Sequence, residues 1–314
     1  MLKVIHAGLH TSVQDGGRVG FRRLGISQSG ALDLPALTMA NLLVGNAENA
    51  AALEITLGKF SATFATACWV ALTGADCHAD LDGKPLWTGR RFAVKPGQTL
   101  KMRMPRNGMR SYLALSGGVD VPEALGSRST DLKAGFGGFD GRLLRDGDEL
   151  PLGTPTRELT REIGIKQLLF GNRVRALPGP EYQEFSEEMQ ELFWRTSWQL
   201  SPQSNRMGYR LLGAELQRAT WPGSEARELP SHGLLPGVVQ VPHNGRPIVL
   251  LADAQTTGGY PRIATVIEAD LFHLAQIRLG EPIHFIHCTQ AQAQKAAEEQ
   301  RRYLEQLAWR LHDY

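Results

Sequence analysis

The chain has 314 residues, 42% of them hydrophobic and 21% charged, with a formal net charge of +2; this is globular composition, long enough for about two domains and without the basic excess of a nucleic-acid surface. No apolar run approaches the ~20 residues of a membrane span, and the N-terminal MLKVIHAGLHTSVQDGG lacks an apolar core followed by a cleavage site, so no secretory signal is expected. The three cysteines, Cys68, Cys77 and Cys288, form no C-x-x-C pair; they fit reduced cytoplasmic thiols better than a disulfide framework, and no metal site is expected from them.

Taken in chain order, the predicted elements are mostly strands. The first helix is placed at Leu34–Val44, with Asp33 as its N-cap and Gly45 as its stop. Trp69–Thr73 is β-rich. His78–Leu81 and Lys84–Trp87 flank Asp82-Gly83, a pair that supplies the positive φ angles of a tight hairpin. Phe92–Lys95 and Thr99–Met104 flank Pro96-Gly97 and predict a second hairpin. There Leu100, Met102 and Met104 alternate with Lys101 and Arg103, so one face is buried. Ser111–Ser116 and the stretch around Arg145–Asp148 continue the series. Gly135–Gly141 is a glycine-dense loop, made either for a backbone approach to a ligand or for tight turning. A polar stretch at Gly153–Lys166 breaks the strand rhythm and suggests a boundary, giving an N-terminal lobe 1–160 and a C-terminal lobe 161–314.

A second helix is predicted at Glu184–Arg195, opened by Ser186 or its neighbours. The last runs over Gln290–Leu311, where Thr289 and Gln292 form a capping box. Tyr303, Leu304, Leu307, Ala308 and Leu311 follow the helical period and give it one packing stripe. Short strands at near-regular spacing predict barrels or sandwiches, so the fold class is mainly β with few helices and a long C-terminal helix.

Three polar clusters stand apart from this scaffold. Ser231–Arg262 sets Gln240, Asp253, Gln255 and Tyr260 among glycine turns and two apolar runs. A polar ligand pocket needs such donors and acceptors, although Gly and Asn also favour solvated turns. Ser201–Gly213 carries Asn205 and Arg206 just before a strand. Thr11–Asp33 holds Asp15 and Arg18 across Gly16-Gly17. That pair reads equally as an anion or partner loop and as a structural ion pair. By residue chemistry, Asp253 is the candidate base or proton relay. Asn205, Gln240 and Gln255, with Tyr260, suit amide recognition, and Arg206 or Arg18 suits a carboxylate or developing phosphate charge.

The stretches TSVQDGGRVGFRRLGISQSGALD, SNRMGYRLLG and GLLPGVVQVPHNGRPIVLLADAQTTGGYP resemble the signatures of the biotin-dependent carboxyltransferase family. That family includes the second of the allophanate-hydrolase-type subunits, together with the Kip-type regulatory proteins. The similarity is greatest to its prokaryotic 5-oxoprolinase C-subunit branch and runs nearly end to end. It includes STDLKAGFGGFDGRLL and the EQLAWRLH helix. The resemblance implies two cyclophilin-like β-barrel lobes. It also implies a complex with the 5-oxoprolinase A and B subunits that converts 5-oxo-L-proline to L-glutamate with hydrolysis of ATP. No G-x-x-x-x-G-K-[ST] loop is present, so the ATP site is expected to be shared with a partner or to lie on it. No Met-Lys-Met biotin acceptor is present either; Lys101-Met102-Arg103-Met104 has arginine between its methionines, so no biotin is expected on this chain. The alternatives are one component of a carboxyltransferase that acts on urea or a related amide, and a non-catalytic Kip-type binding protein.

Overall fold

The structure, a computed structural model, describes residues 1–218 and 229–312. The chain divides into two compact units that interleave in sequence. Met1–Val19, Ser29–Phe170 and the residues from Arg301 on form the first; Gly20–Gln28 and Gly171–Gln300 form the second. The sequence division into 1–160 and 161–314 has no such exchange of segments, because an exchange depends on long-range contacts and leaves no local pattern.

The first unit contains β1 (Leu2–His6), β2 (His10–Gln14), β3 (Ala52–Thr56), β4 (Phe60–Phe64), β5 (Cys68–Gly74), β6 (Asp80–Leu81), β7 (Lys84–Pro85), β8 (Arg90–Val94), β9 (Thr99–Met102), β10 (Arg110–Leu115) and β11 (Glu149–Leu150). They form two antiparallel sheets, β11-β1-β4-β9-β6-β7 and β2-β3-β10-β5-β8. Strand alternation explains how the sheets share a core. Leu113 and Leu115 of β10 join Val4, Phe60 and Leu100 of the other sheet. Tyr112 and Ala114 face the opposite way, toward Ala36, Leu37 and Ala40 of helix α1 (Leu34–Leu43). With both faces covered, all six residues of β10 are buried. Helix α1 starts as its sequence predicts: Asp33 Oδ1 accepts the Ala36 N–H at 2.9 Å.

Asp82 and Gly83 take positive φ angles of 49° and 83° and connect β6 to β7, as the hairpin signal requires. The second expected hairpin does not form. β8 pairs with β5, whereas β9 pairs with β4 and β6, so Pro96-Gly97 carries the chain from one sheet to the other. The turn residues report a reversal and do not say which strand receives it. Leu100 and Met102 are buried as their alternation predicts; Met104, beyond the strand end, is exposed.

The second unit contains β12 (Arg173–Pro178), β13 (Trp198–Leu200), β14 (Gly208–Leu212), β15 (His232–Gly233), β16 (Val238–Gln240), β17 (Ile248–Leu250), β18 (Thr257–Gly258), β19 (Arg262–Val266) and β20 (Pro282–His287). Seven of these close a barrel in the order β12-β19-β16-β17-β14-β13-β20, and β15 with β18 makes a two-stranded ribbon. Leu234, next to the ribbon, packs with Val238, Leu250 and Ala254, while Val239, the next residue along β16, is wholly buried. Helices α2 (Glu187–Arg195) and α3 (Leu271–Gln276) belong to this unit. Helix α3 has six residues, too few for a periodic pattern to mark it in the sequence.

Helix α4 (Gln290–His312) ends the described chain. Its capping box is made: the Thr289 N–H donates to Gln292 Oε1 at 2.8 Å and the Gln292 N–H to Thr289 Oγ1 at 3.3 Å. Leu307 and Leu311 of its stripe complete the cluster around α1 in the first unit. The fold is thus mainly β with a long C-terminal helix, as expected. The second unit closes as a barrel, and the first keeps two sheets around a common core. Among the described residues, no helix is long and apolar enough to cross a membrane.

Candidate active site

The polar residues expected to carry function fall into three separate arrangements. Asn205 is exposed, and its Oδ1 accepts the Met207 N–H at 2.9 Å, so its amide shapes its own turn. Arg206 and Asp253 are both buried and form a two-pronged ion pair. Arg206 Nε donates to Asp253 Oδ2 at 2.9 Å and Nη2 donates to Oδ1 at 3.1 Å. The Asp253 N–H also donates to the Arg206 carbonyl at 3.1 Å. Both oxygens of the carboxylate are thus occupied by the buried guanidinium. The geometry gives the pair a clamping role between the turn before β14 and the segment after β17.

Gln240, Gln255 and Tyr260 come together around Gly258. Gln240 is buried at the end of β16, beside a bulge in its pairing with β19. Its Nε2 donates to the Tyr260 carbonyl at 3.4 Å, which fixes the amide nitrogen on that side. A Cβ on Gly258 would lie 3.4 Å from Gln240 Nε2, 3.8 Å from Gln255 Nε2 and 2.9 Å from Leu234 Cδ1. The absence of a side chain there lets both amides crowd against one stretch of backbone. Gln255 is exposed, so the cluster is open on one side.

Tyr260 also borders a cavity of about 580 Å³, lined in part by Phe185, Arg218, Ser231, Val241 and His243. The Tyr260 ring meets His243 edge to face, with centroids 5.8 Å apart. Ser231, Val241 and Gly259 line this cavity, whereas their neighbours His232, Gln240 and Gly258 do not.

Two further side chains stand beside this cluster. Arg22 donates through Nη2 to the Leu234 carbonyl at 2.6 Å and to the Gln255 carbonyl at 3.5 Å. Its Nη1 is buried without a hydrogen-bond partner among the described residues, and burial pulls the guanidinium pKa down. His232 lies directly across the ribbon from Gly258. Its Nδ1 is 3.1 Å from the Pro230 carbonyl, and its Nε2 is buried with no hydrogen-bond partner among the described residues. Close by, Glu181 accepts from Arg262 Nε at 2.7 Å, Nη2 at 2.6 Å and the backbone N–H at 3.0 Å. Burial pushes the Glu181 carboxyl up, but the Arg262 bonds and charge, helped by His232, outweigh it and hold the group below the usual carboxylate range. For His232 the signal is its pairing with Gly258, which lies far from it in sequence.

Asp15 and Arg18 belong to the first unit and are buried there. Asp15 Oδ1 accepts from the Gly17 N–H at 2.8 Å, Ser127 Oγ at 2.7 Å and Ser129 Oγ at 2.5 Å; Oδ2 accepts from the Arg128 N–H at 2.5 Å. Arg18 donates to the Ala124 carbonyl at 3.0 Å and to the Ser129 carbonyl, and lies 4.5 Å over the Phe136 ring. Both hold the loop 121–141 in place. Among the described residues, no group of three or more His, Cys, Asp or Glu is placed to hold a metal ion.

Comparison with known proteins supplies what geometry alone does not. The sequence matches the family described as carboxyltransferase domain, subdomain A and B, over residues 24–287. It is 64% identical over 313 residues to the Escherichia coli K12 protein named as the C subunit of 5-oxoprolinase, covering 100% of this chain and 99% of that one. It is 43% identical over 307 residues to the Haemophilus influenzae Rd protein of the same name, covering 98% and 97%. The crystal structure of K. lactis urea amidolyase superposes on 98% of this chain with a TM-score of 0.90 and 30% identity. This chain spans only 20% of that much longer protein.

Proposed function

The chain belongs to the carboxyltransferase-domain family, and on that premise we propose that it is the C subunit of an ATP-dependent 5-oxoprolinase. With the A and B subunits it opens 5-oxo-L-proline to L-glutamate, a hydrolysis of a cyclic amide driven by ATP. The observation that carries this reading is the 64% identity that spans both chains end to end. The amide cluster of Gln240, Gln255 and Tyr260 supports it chemically. A lactam offers one N–H and one C=O, and a pocket that recognises it needs a matched set of donors and acceptors.

Hydrolysis of the lactam is slow and unfavourable in this direction. Transfer of the γ-phosphoryl group of ATP to the amide oxygen makes the ring carbon electrophilic and supplies the driving force. In this scheme the present chain and the B subunit together activate the lactam, and the A subunit opens it. The nucleotide site is shared with the B subunit or lies on it, since this chain has no phosphate-binding lysine loop. The Arg206–Asp253 clamp holds the framework of the site, and Asn205 shapes the adjoining turn. The complex works in the cytoplasm.

The test is reconstitution. The purified chain is mixed with the A and B subunits, and glutamate and ADP are measured with and without 5-oxoproline. Oxoproline-dependent formation of both, needing all three chains, is the expected result. Robust oxoproline-stimulated ATPase from the isolated chain would break the division of labour. The structural match to urea amidolyase favours one rival, carboxyl transfer to an amide. Carboxylation of urea in the presence of a biotin carboxylase and a biotin carrier, without glutamate formation, would establish that rival instead.

A further inference from the structure

We propose that His232 is the proton acceptor for the substrate's amide N–H. The inference rests on the 5-oxoprolinase reading and assigns a step of that reaction to a residue of this chain.

The tautomer follows from one contact. The Pro230 carbonyl can only accept a hydrogen bond, so Nδ1 of His232, 3.1 Å away, carries the proton. Nε2 then presents a lone pair. That lone pair is buried and has no partner among the described residues. Leaving a buried acceptor unmatched is unfavourable, so the position is suited to a ligand that brings an N–H donor.

The surroundings identify the donor. His232 and Gly258 are directly opposed in an antiparallel ribbon, so the imidazole and the Cβ direction of Gly258 share one face. The Nε2 atoms of Gln240 and Gln255 lie 3.4 and 3.8 Å from that Cβ position. The acceptor lone pair and the two amide donors therefore belong to one face of the ribbon. A secondary amide in a ring presents the complementary set, with its N–H toward His232 and its C=O toward Gln240 and Gln255. Gln255 is exposed, so the ring can enter from its side. Asp253 is not available for the same task, because both its oxygens are held by Arg206.

The step balances. A lone pair of the lactam oxygen attacks the γ-phosphorus of a nucleoside triphosphate. The new O–P bond forms as the bond to the leaving nucleoside diphosphate breaks. The proton on the ring nitrogen passes to His232 Nε2, and the N–H electron pair stays on nitrogen as the C=N bond is completed. The product is a cyclic imidate phosphate with a neutral ring, and the imidazolium is formed near the Glu181 carboxylate, which Arg262 keeps ionised.

Two variants and one spectroscopic measurement test this. His232→Asn keeps an N–H donor near the Pro230 carbonyl and removes the Nε2 acceptor; His232→Gln keeps the reach and removes the base. In the complex with the A and B subunits, both are expected to lose at least ~10²-fold in kcat, the lower range for a general base, with assembly and thermal midpoint retained. In parallel, 15N NMR of the imidazoles, in the chain alone and in the mixture with both partners, should show 5-oxoproline shifting the His232 Nε2 resonance. Near-wild-type kcat in either variant overturns the proposal. So does a His232 resonance indifferent to saturating 5-oxoproline in both samples. If the wild-type mixture makes no glutamate, the 5-oxoprolinase reading falls on its own. The NMR titration then decides His232: a shift on adding 5-oxoproline supports it as a lactam acceptor, and no shift overturns it.

Discussion

The loop network around Asp15 and the ribbon around Gly258 use similar ingredients to opposite ends. Both combine glycines, an arginine and short polar side chains. At Asp15, the carboxylate accepts from residues 17, 127, 128 and 129, and Arg18 is spread over two carbonyls and an aromatic ring. The glycines there serve the protein itself. A Cβ on Gly137, at a φ of 70°, would fall 2.2 Å from both Arg18 Nη2 and the Ser129 carbonyl. At the ribbon, Gly258 draws two glutamine amides together while His232 Nε2 and Arg22 Nη1 stay unmatched among the described residues. A carboxylate with both oxygens met by its own loop is architecture. A ribbon that leaves buried polar atoms beside an open edge has chemistry in reserve.

Substitutions can break or sharpen that contrast. The largest effect is expected at the clamp beside the ribbon. Arg206→Met alone leaves the Asp253 charge buried and uncompensated and should cost about 3–5 kcal/mol in chemical denaturation. The double variant Arg206→Met/Asp253→Leu should return to within about 1 kcal/mol of the parent and recover turnover in the complex. A double variant that folds well but has lost turnover by ~10²-fold would restore a chemical role to Asp253.

Next comes the Asp15 carboxylate. Asp15→Ala strands the Ser127 and Ser129 hydroxyls and the Gly17 and Arg128 N–H groups. It should destabilise the chain by about 3 kcal/mol in urea unfolding. The KM of the surviving folded protein for 5-oxoproline should not move. A change in KM without loss of stability would give this loop a ligand after all.

The smallest effect belongs to the ribbon. Gly258→Ala places a methyl group 2.9 Å from Leu234 Cδ1, the end of a flexible side chain, and against both amides. Stability should change by less than about 1.5 kcal/mol. Steady-state kinetics should show KM raised about tenfold, equivalent to about 1.4 kcal/mol of binding. An unchanged KM would separate Gly258 from the substrate.

What could be read from the sequence depended on how local the cause was. Asp33, the Asp82-Gly83 turn and the Thr289/Gln292 box act within a few residues of themselves, and each does in the structure what its position predicts. Pro96-Gly97 misled because the alternation of Leu100 and Met102 is the same whichever neighbour β9 takes. At the site, Gln240, Gln255 and Tyr260 are legible as polar residues among glycine turns; the two glutamine amides lie beside Gly258, and Tyr260 offers Gln240 its backbone carbonyl. Asp253 and Arg206 looked equally chemical, yet they satisfy each other, and spacing gave no hint of it. His232 gained its place only through Gly258, its partner across the ribbon.

The last described helix also bears on how the protein is made. Leu307 and Leu311 supply part of the cover over α1 in a unit whose remaining residues lie before 171. During synthesis from the N-terminus, that unit emerges without this cover. At about 5–20 residues per second, the intervening barrel keeps the ribosome occupied for on the order of ten seconds. Over that interval Ala36, Leu37 and Ala40 wait for part of their cover, which is still to be translated.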